Sequence, residues 1–283
     1  MSGQSIISFP YDLDNPDERY ELPGSLTEIS GLAYYKNDRI LCVQDEKANI
    51  YVYNINKKEI ESIYDFGKDG DYEGIALAGQ TAYVIRSDGK IFEVENFDSE
   101  NKKVKEHKTP LSANNDTEGL TYDSFSNSLY IACKGSPSVE KDNHYEGTKA
   151  IYQFSLEKMK LDKEPAFQID LNRLDSYMND DLLKEFSLRI AKKLQLIESG
   201  TNFQPSGLAI HPIHDRIYLL SNIGKMLIIL NRQGKVTDLQ KLNMKIFRQP
   251  EGICFSPTGD LFIASEGDGG KGYILKFKLH ADE

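Results

Sequence analysis

The chain of 283 residues is long enough for one large domain with a sizeable hydrophobic core. Apolar residues make up 39% of the sequence and aromatic residues 10%, a composition that excludes intrinsic disorder. The net charge of −10 argues against binding to nucleic acid or to an anionic membrane, and the most apolar run, Met226–Leu230, is far too short to span a bilayer. We therefore expect no nucleic-acid partner and no integral membrane segment.

The first nine residues contain neither a basic stretch nor a sufficient apolar stretch for a signal peptide, which leaves the cellular compartment open. The three cysteines, Cys42, Cys133 and Cys254, each fall within an apolar, strand-like run. Because an odd number of thiols cannot all pair within one chain, we expect buried free cysteines rather than a disulfide framework.

One short signature, a serine or glutamate followed by glycine and two small or apolar residues, occurs five times. The copies are SGLA at 30–33, EGIA at 73–76, EGLT at 118–121, SGLA at 206–209 and EGIC at 251–254. Their first residues are 43, 45, 88 and 45 positions apart. A repeat of roughly 40 to 50 residues is typical of β-propeller blades, in which each repeat forms a four-stranded sheet.

Each signature is followed by a turn and a second short apolar run, and four of the five by a third. The second runs lie at residues 40–43, 82–85, 129–133, 217–220 and 261–264. The third runs lie at residues 50–53, 90–94, 226–230 and 273–277. These runs are rich in Ile, Val, Tyr and Phe and are bounded by Gly, Asn and Asp, a pattern that predicts strands joined by tight turns.

The 88-residue interval is long enough to contain another blade, so a six-bladed ring is the alternative to five. Two strand-like runs at 150–155 and 166–171 complete the third blade, and residues 175–198 carry apolar side chains at the three- and four-residue spacing of a helix. No further strand signature remains in the interval. We therefore predict one all-β domain over residues 1–283, a five-bladed β-propeller with one helical insertion as a cap.

The last blade ends on its third strand and lacks a fourth. Residues 6–11 and residues 19–22 are both suited to supply the missing strand. Either pairing would close the ring and cover the exposed sheet edge.

In a propeller, the first strand of each blade begins on the face where the second strand ends, so two rings of residues meet at one mouth of the central channel. The first ring contains the leading residue of each signature: Ser30, Glu73, Glu118, Ser206 and Glu251. The second ring contains the residues that follow the second strands: Asp45, Ser87, Lys134, Asn222 and Glu266. The glycine after every first-ring residue suits an axis too crowded for side chains.

Three glutamates around one narrow axis must be protonated, paired with a cation or bound to a metal ion, because like charges repel strongly in a partly dry site. Carboxylate, amide and hydroxyl oxygens without clustered His or Cys suit a hard cation, with Ca²⁺ the best fit and Mg²⁺ the second. The alternative is an ion-pair network in which Arg86 and Lys134 neutralise the glutamates and hold the blades together. Arg86, Lys134 and Ser206 are also candidates for contact with a ligand.

Two insertions fall on the face that carries the mouth, namely the loop at 135–149 and the predicted helix at 175–198. We expect them either to roof the mouth and shape a pocket or to pack as a simple cap. His144, in the loop, is the one histidine placed to reach the mouth as a ligand-binding residue or general base. Because neither a G-x-S-x-G nor an HExxH motif occurs, no catalytic residue is assigned.

Five segments in register resemble the SdiA-regulated, YjiK-like proteins: EISGLAY (28–34), DYEGIAL (71–77), DTEGLTYD (116–123), QPSGLAIHP (204–212) and QPEGICFSPTGDLFIASEG (249–267). The resemblance runs from about residue 21 to the C-terminus and implies a five-bladed propeller related to NHL-repeat proteins. It also implies a calcium site, carried onto the motif residues Glu73, Glu118 and Glu251. The expected geometry of the mouth, rather than the resemblance, adds four further candidate ligands of the metal: Glu28, Asp45, Asn222 and Glu266. The esterase-like phytase proteins have similar Glu-Gly sequences at the starts of their strands, but this similarity is looser.

Two functions are compatible with an acidic, calcium-holding mouth. The first is a binding or structural module in which the cation ties the blades together and helps to hold an oxygen-rich ligand, such as a sugar, a phosphate ester or a peptide carboxylate. The second is a calcium-dependent hydrolase of phosphoesters or lactones, with the metal as Lewis acid. A third possible function, which does not depend on calcium, is the binding of other proteins on the broad faces of the propeller. The resemblance implies a location in the periplasm or cell envelope; without it, we expect the chain in the cytoplasm. The sequence predicts no oligomeric state.

Overall fold

The computed structural model describes residues 9–140, 145–171, 174 and 203–280, which form five antiparallel sheets around a common axis. The described part opens with β1 (Glu18–Glu21) and a short 3-10 helix (Gly24–Leu26). Blade I contains β2 (Ile29–Tyr34), β3 (Arg39–Gln44), β4 (Asn49–Asn54) and β5 (Glu59–Asp65). Blade II contains β6 (Tyr72–Ala78), β7 (Thr81–Arg86), β8 (Ile91–Glu95) and β9 (Lys103–His107).

The remaining blades follow the same order from the axis outward, with two variations. Blade III contains β10 (Thr117–Asp123), β11 (Ser128–Cys133), β12 (Thr148–Ser155), β13 (Lys160–Leu161) and β14 (Phe167–Asp170). Blade IV contains β15 (Gln204–Ile210), β16 (Ile217–Ile223), β17 (Met226–Leu230) and β18 (Val236–Lys241). Blade V contains β19 (Gln249–Phe255), β20 (Leu261–Glu266) and β21 (Tyr273–Phe277). In blade III, β13 and β14 pair with the two ends of β12 and together form its outer edge.

The predicted five-bladed, all-β architecture is therefore confirmed, and the six-bladed alternative is wrong. The 88-residue interval holds the outer strands of blade III and no additional sheet in its described part. The predicted helix at 175–198 and His144 lie outside the described residues. Within the parts of the chain that are described, no helix has the length and apolar character needed to cross a bilayer.

The ring closes through β1, which pairs with β21 from Glu18 opposite Lys276 to Glu21 opposite Tyr273. Of the two predicted closing segments, residues 19–22 thus complete blade V. The Arg19 guanidinium also lies 3.6 Å from the centre of the Tyr273 ring, a cation–π contact across the closing strand pair. The segment before β1 packs elsewhere, because Tyr11 and Leu13 are buried between blades IV and V.

The hydrophobic core consists of five clusters, one between each pair of neighbouring blades. Alternate residues of every strand point to opposite faces of its sheet, so the inner strands contribute to the clusters on both sides. All three cysteines are buried in these clusters as free thiols, as predicted. The stacking of blades thus depends on side chains that meet across blade boundaries rather than on one central core.

At the axis the blades approach so closely that backbone meets backbone. An ideal Cβ on the glycine of each signature would lie within 3 Å of an atom in the next inner strand around the ring. The five distances are 2.8 Å at Gly31, 2.9 Å at Gly74, 2.8 Å at Gly119, 2.3 Å at Gly207 and 2.8 Å at Gly252. Real Cβ atoms do not make such contacts, so these positions have no room for a side chain.

Candidate functional site

The first ring of residues stands where the inner strand of every blade is irregular. In each blade the pairing of the first strand with the second shifts register within the signature. The residues within these shifts are Ser30, Glu73, Glu118, Ser206 and Glu251. A β-bulge bends its strand and changes the direction of the extra side chain. The sequence shows the signature but not the bulge, because a bulge depends on the pairing with the neighbouring strand.

A narrow cavity, open to solvent, follows the propeller axis. Glycines and aliphatic side chains of the inner strands form most of its wall. Its polar lining comes from Ser30, Glu73, Glu118 and Glu251. Three glutamates from three different blades therefore line the same space, as the repeat pattern predicted.

Glu118 is the first-ring carboxylate that pairs with a lysine. It is only 5% exposed, and the Lys134 ammonium donates a hydrogen bond to its Oε1 at 2.6 Å. The same ammonium lies 3.8 Å from Asp116 Oδ2. Burial raises the pKa of Glu118 above its usual range, and the charge of Lys134 offsets part of that effect. The predicted neutralisation by Lys134 thus holds for this glutamate.

Glu251, in blade V, is joined to blade IV by an amide. Asn222 Nδ2 donates a hydrogen bond to Glu251 Oε1 at 2.6 Å, and the Lys225 ammonium donates to Asn222 Oδ1. Burial, reinforced by the charges of Glu118 and Glu266, raises the pKa of Glu251 well above that of an ordinary glutamate. Because this carboxylate has an amide rather than a cation as its hydrogen-bonding partner, its negative charge is compensated less than that of Glu118.

Further carboxylates crowd the mouth beside blades V, I and II. Burial is the largest cause of the raised pKa of Glu73, about 10, and of Glu266, about 7. Burial and the charge of Glu28 raise the pKa of Asp45, whose Oδ1 is buried without a hydrogen-bonding partner. The structure therefore brings together every acidic residue of the predicted site.

Two of the polar residues singled out from the sequence have their own structural partners. Arg86 Nη2 lies 2.6 Å from Asp88 Oδ2, so the arginine forms an ion pair within its own turn. Ser206 Oγ donates a hydrogen bond to the Pro250 carbonyl at 2.7 Å and joins blade IV to blade V. Their roles as ligand contacts stay predictions, as does that of His144 outside the described residues.

Lys149 and Lys225 are mouth residues that were not predicted. Lys149 lies at the start of β12 and donates to the backbone carbonyl of Lys134, and Lys225 lies directly before β17. Burial lowers the pKa of both ammonium groups. One signal was available in the sequence, since a lysine occupies the start of the third strand in three consecutive blades, at Lys90, Lys149 and Lys225.

A hard cation fits the chemistry of this donor set, which consists of carboxylate and amide oxygens and includes the unpartnered Oδ1 of Asp45. As the side chains stand, however, no three Asp, Glu, His or Cys residues of the described ranges are grouped closely enough to hold a metal ion. Cation binding would therefore require the carboxylates to turn toward a common point.

Sequence comparison places nearly the whole propeller in one family. The chain matches the family described as SdiA-regulated over residues 11–268, which covers blades I to IV and the first two strands of blade V. It belongs to the SdiA-regulated family. A comparison with curated proteins finds no match.

Solved structures similar to this SdiA-regulated propeller share its fold at low sequence identity. The glutaminyl cyclase of Myxococcus xanthus aligns with a TM-score of 0.58 and 10% identity over 95% of this chain and 97% of that one. The PQQ-bound aldose sugar dehydrogenase of Streptomyces coelicolor aligns with a TM-score of 0.56 and 12% identity over 94% and 98% of the two chains. These similarities show the fold alone.

Without metal, the SdiA-regulated propeller is expected to lose stability as the pH rises. Glu73 has a pKa of about 10 in the folded protein and about 4.5 when unfolded, so folding takes up a proton between these values. Its contribution to stability is therefore complete below about pH 4.5 and is lost as the pH rises toward 10. Thermal melts in excess chelator should show a lower Tm at pH 8.5 than at pH 6.

The Glu73→Gln variant tests this pH dependence, because glutamine cannot ionise. Its Tm should depend less on pH than that of the wild type over the same range. Glu21→Gln, a change at a carboxylate that is 63% exposed, is the control and should melt in parallel with the wild type. Parallel curves for Glu73→Gln and the wild type would contradict the assignment.

Proposed function

We propose that the acidic mouth of the channel binds Ca²⁺ and that the propeller is a calcium-dependent binding module. The observation that carries this proposal is the meeting of three glutamates, one buried and two half-buried, in one narrow cavity, where Lys134 pairs with the buried one. The pKa values of Glu73 and Glu251 are strongly raised, because burial and the neighbouring carboxylates disfavour the charged forms. A divalent cation would favour the charged forms without protonation.

The donor types favour calcium over other metals. Calcium binds six to eight oxygen ligands in flexible geometry, whereas magnesium demands a compact octahedron and retains several waters. Glu73, Glu118 and Glu251 would hold the ion from three blades, with Asn222 beside Glu251. Asp45, Glu28 and Glu266 would supply further oxygens around the mouth. When bound, the ion supplies positive charge that ties neighbouring blades together and attracts the oxygen of a ligand.

Thermal unfolding in millimolar calcium against excess chelator tests the proposal. A cation present at a hundredfold excess over its Kd stabilises the folded state by about 2.7 kcal/mol. For a chain of this size we expect a rise in Tm of about 5 to 10 °C. Magnesium should give a smaller rise, and elemental analysis of purified protein should detect calcium.

Variants identify the carboxylates that carry the effect. Glu118→Gln should reduce the calcium-dependent rise in Tm, because it removes one charged ligand from the cavity. Glu21→Gln provides a matched control, since Glu21 also pairs with a lysine, Lys271, at 3.3 Å but is exposed. The proposal fails if neither calcium nor magnesium raises the Tm and the purified protein contains no metal.

Hydrolysis, the alternative function predicted from the sequence, gains no supporting contact in the structure. His107 pairs with Glu93 Oε2 at 2.7 Å, and His211 is buried against Tyr11, with His214 stacked on it. None of the described histidines contacts a carboxylate of the mouth. We therefore propose no reaction for this site.

A further inference from the structure

The charges at the mouth are distributed unevenly among the blades. Carboxylates of blades V, I and II dominate one side: Glu251, Glu266, Glu28, Asp45, Asp71 and Glu73. On the other side, blade III carries Lys134 and Lys149 beside its acids. Blade IV carries Asn222 and Lys225, and the described residues at its mouth end include no carboxylate. The mouth thus has an acidic side and a side on which lysines balance the acids.

Lys149 and Lys225 differ from the other half-buried cations of the propeller in their partners. Lys149 donates to the carbonyl oxygen of Lys134, and Lys225 donates to the amide oxygen of Asn222. Among the described residues, no carboxylate lies within ion-pair distance of either ammonium. Burying an ammonium that forms no ion pair costs free energy. The charge of Asp116 near Lys149, and those of Glu251 and Asp268 near Lys225, offset only part of this cost, because the pKa of both lysines is still lowered.

Both lysines occupy equivalent places in their blades. Each lies at the start of a third strand and contacts the residue that follows the second strand, which is Lys134 in blade III and Asn222 in blade IV. An ammonium has three N–H donors, and the hydrogen bonds within the described parts of the chain use one on each lysine. An anion at the mouth could accept hydrogen bonds from the other donors.

We propose that Lys149 and Lys225 form an oxyanion subsite, so that the ligand of this propeller is a small carboxylate or phosphate held between the lysines and the cation. This inference rests on the proposed calcium site for the second contact of the ligand. An oxyanion suits both halves of the mouth, because one oxygen can face the cation while another accepts hydrogen bonds from the ammonium groups. A neutral sugar would bring no negative charge to the two ammonium groups.

Isothermal titration of the full chain with methyl phosphate and with acetate, each in saturating calcium, tests the subsite. The wild type should bind at least one probe, and the tighter one identifies the anionic group of the ligand. Lys149→Met and Lys225→Met should each weaken that binding by about tenfold or more, because each removes a charged hydrogen bond. Lys225→Arg should retain most of the affinity, since the positive charge is preserved.

Two controls separate this inference from the proposed function. Lys271→Met removes an exposed lysine from the β20–β21 turn, on the same face of the propeller, and should bind the probe as the wild type does. Calcium titration of both lysine-to-methionine variants should give affinities no weaker than that of the wild type, because a positive charge near the cation is lost. These titrations and the Tm of each variant also show that the protein is folded.

The possible results are distinct. Failure of the wild type to bind either probe, or equal binding by the wild type and both methionine variants, overturns the subsite even where calcium binds. Lysine-dependent binding of the probe that persists unchanged in chelator supports the subsite but overturns the role of calcium.

Discussion

Replacing Gly207 with alanine is expected to lower the free energy of unfolding by about 3 kcal/mol or more. A Cβ at this position would lie 2.3 Å from the backbone carbonyl oxygen of Glu251 in the next blade. Neither strand can yield easily, because both are inner strands held between their own second strands and their neighbours around the ring. We expect the Tm to fall by about 6 to 12 °C.

Gly24→Ala is the matched control, because a Cβ there would meet no atom within 4 Å. Its Tm should stay within about 2 °C of the wild-type value. Since Gly207→Ala also displaces the backbone of Glu251, any calcium-dependent rise in Tm should shrink as well. An alanine variant as stable as the wild type would show that the blades are not in contact at the axis.

Arg232→Ala is expected to destabilise the protein by about 3 kcal/mol, although Arg232 lies far along the chain from the residue it stabilises. Its Nη2 lies 3.0 Å from Asp123 Oδ1 in blade III and 2.5 Å from Asp215 Oδ1 in blade IV. The Asp123 side chain is only 2% exposed, so removing the arginine leaves a buried carboxylate without its cation. Chemical denaturation with urea should show a lower midpoint at an unchanged slope.

Two further variants test the cause of that loss. Lys271→Ala breaks an ion pair whose side chains are both more than 60% exposed, and should change stability by less than about 0.5 kcal/mol. Asp123→Asn in the Arg232→Ala background removes the buried charge and should recover part of the loss. A double variant less stable than Arg232→Ala would contradict the mechanism and assign the loss to packing of the arginine side chain.

The blade count could be predicted from the sequence because the decisive constraint is local. A glycine is needed wherever two inner strands touch, and it recurs with the period of one blade. The strand that closes the ring could not be chosen, because residues 6–11 and 19–22 are both suitable as strands. The choice depends on contacts with distant residues, such as that of Arg19 with the Tyr273 ring.

The same distinction applies to the candidate site. The positions of Glu73, Glu118 and Glu251 follow from strand periodicity, so their meeting in one cavity was predictable. The partner of each charge was not, because it depends on the rotamers of long side chains. Arg86 pairs with Asp88 two residues away, while Lys134 reaches Glu118 across a strand pair. The two lysines of the proposed oxyanion subsite stand at the starts of third strands. The pattern of residues at the ends of second strands assigns these positions no role.

The pairing of β1 with β21 sets the order in which the molecule can be completed during synthesis. Residues 18–21 are made long before residues 273–276, yet they form one ladder. Blades I to IV can therefore form while the chain is still growing, but blade V and the contact between blades V and I must wait for β21. Until then the nascent chain exposes the open flanks of blades I and IV, which makes this interval the period of greatest risk of aggregation.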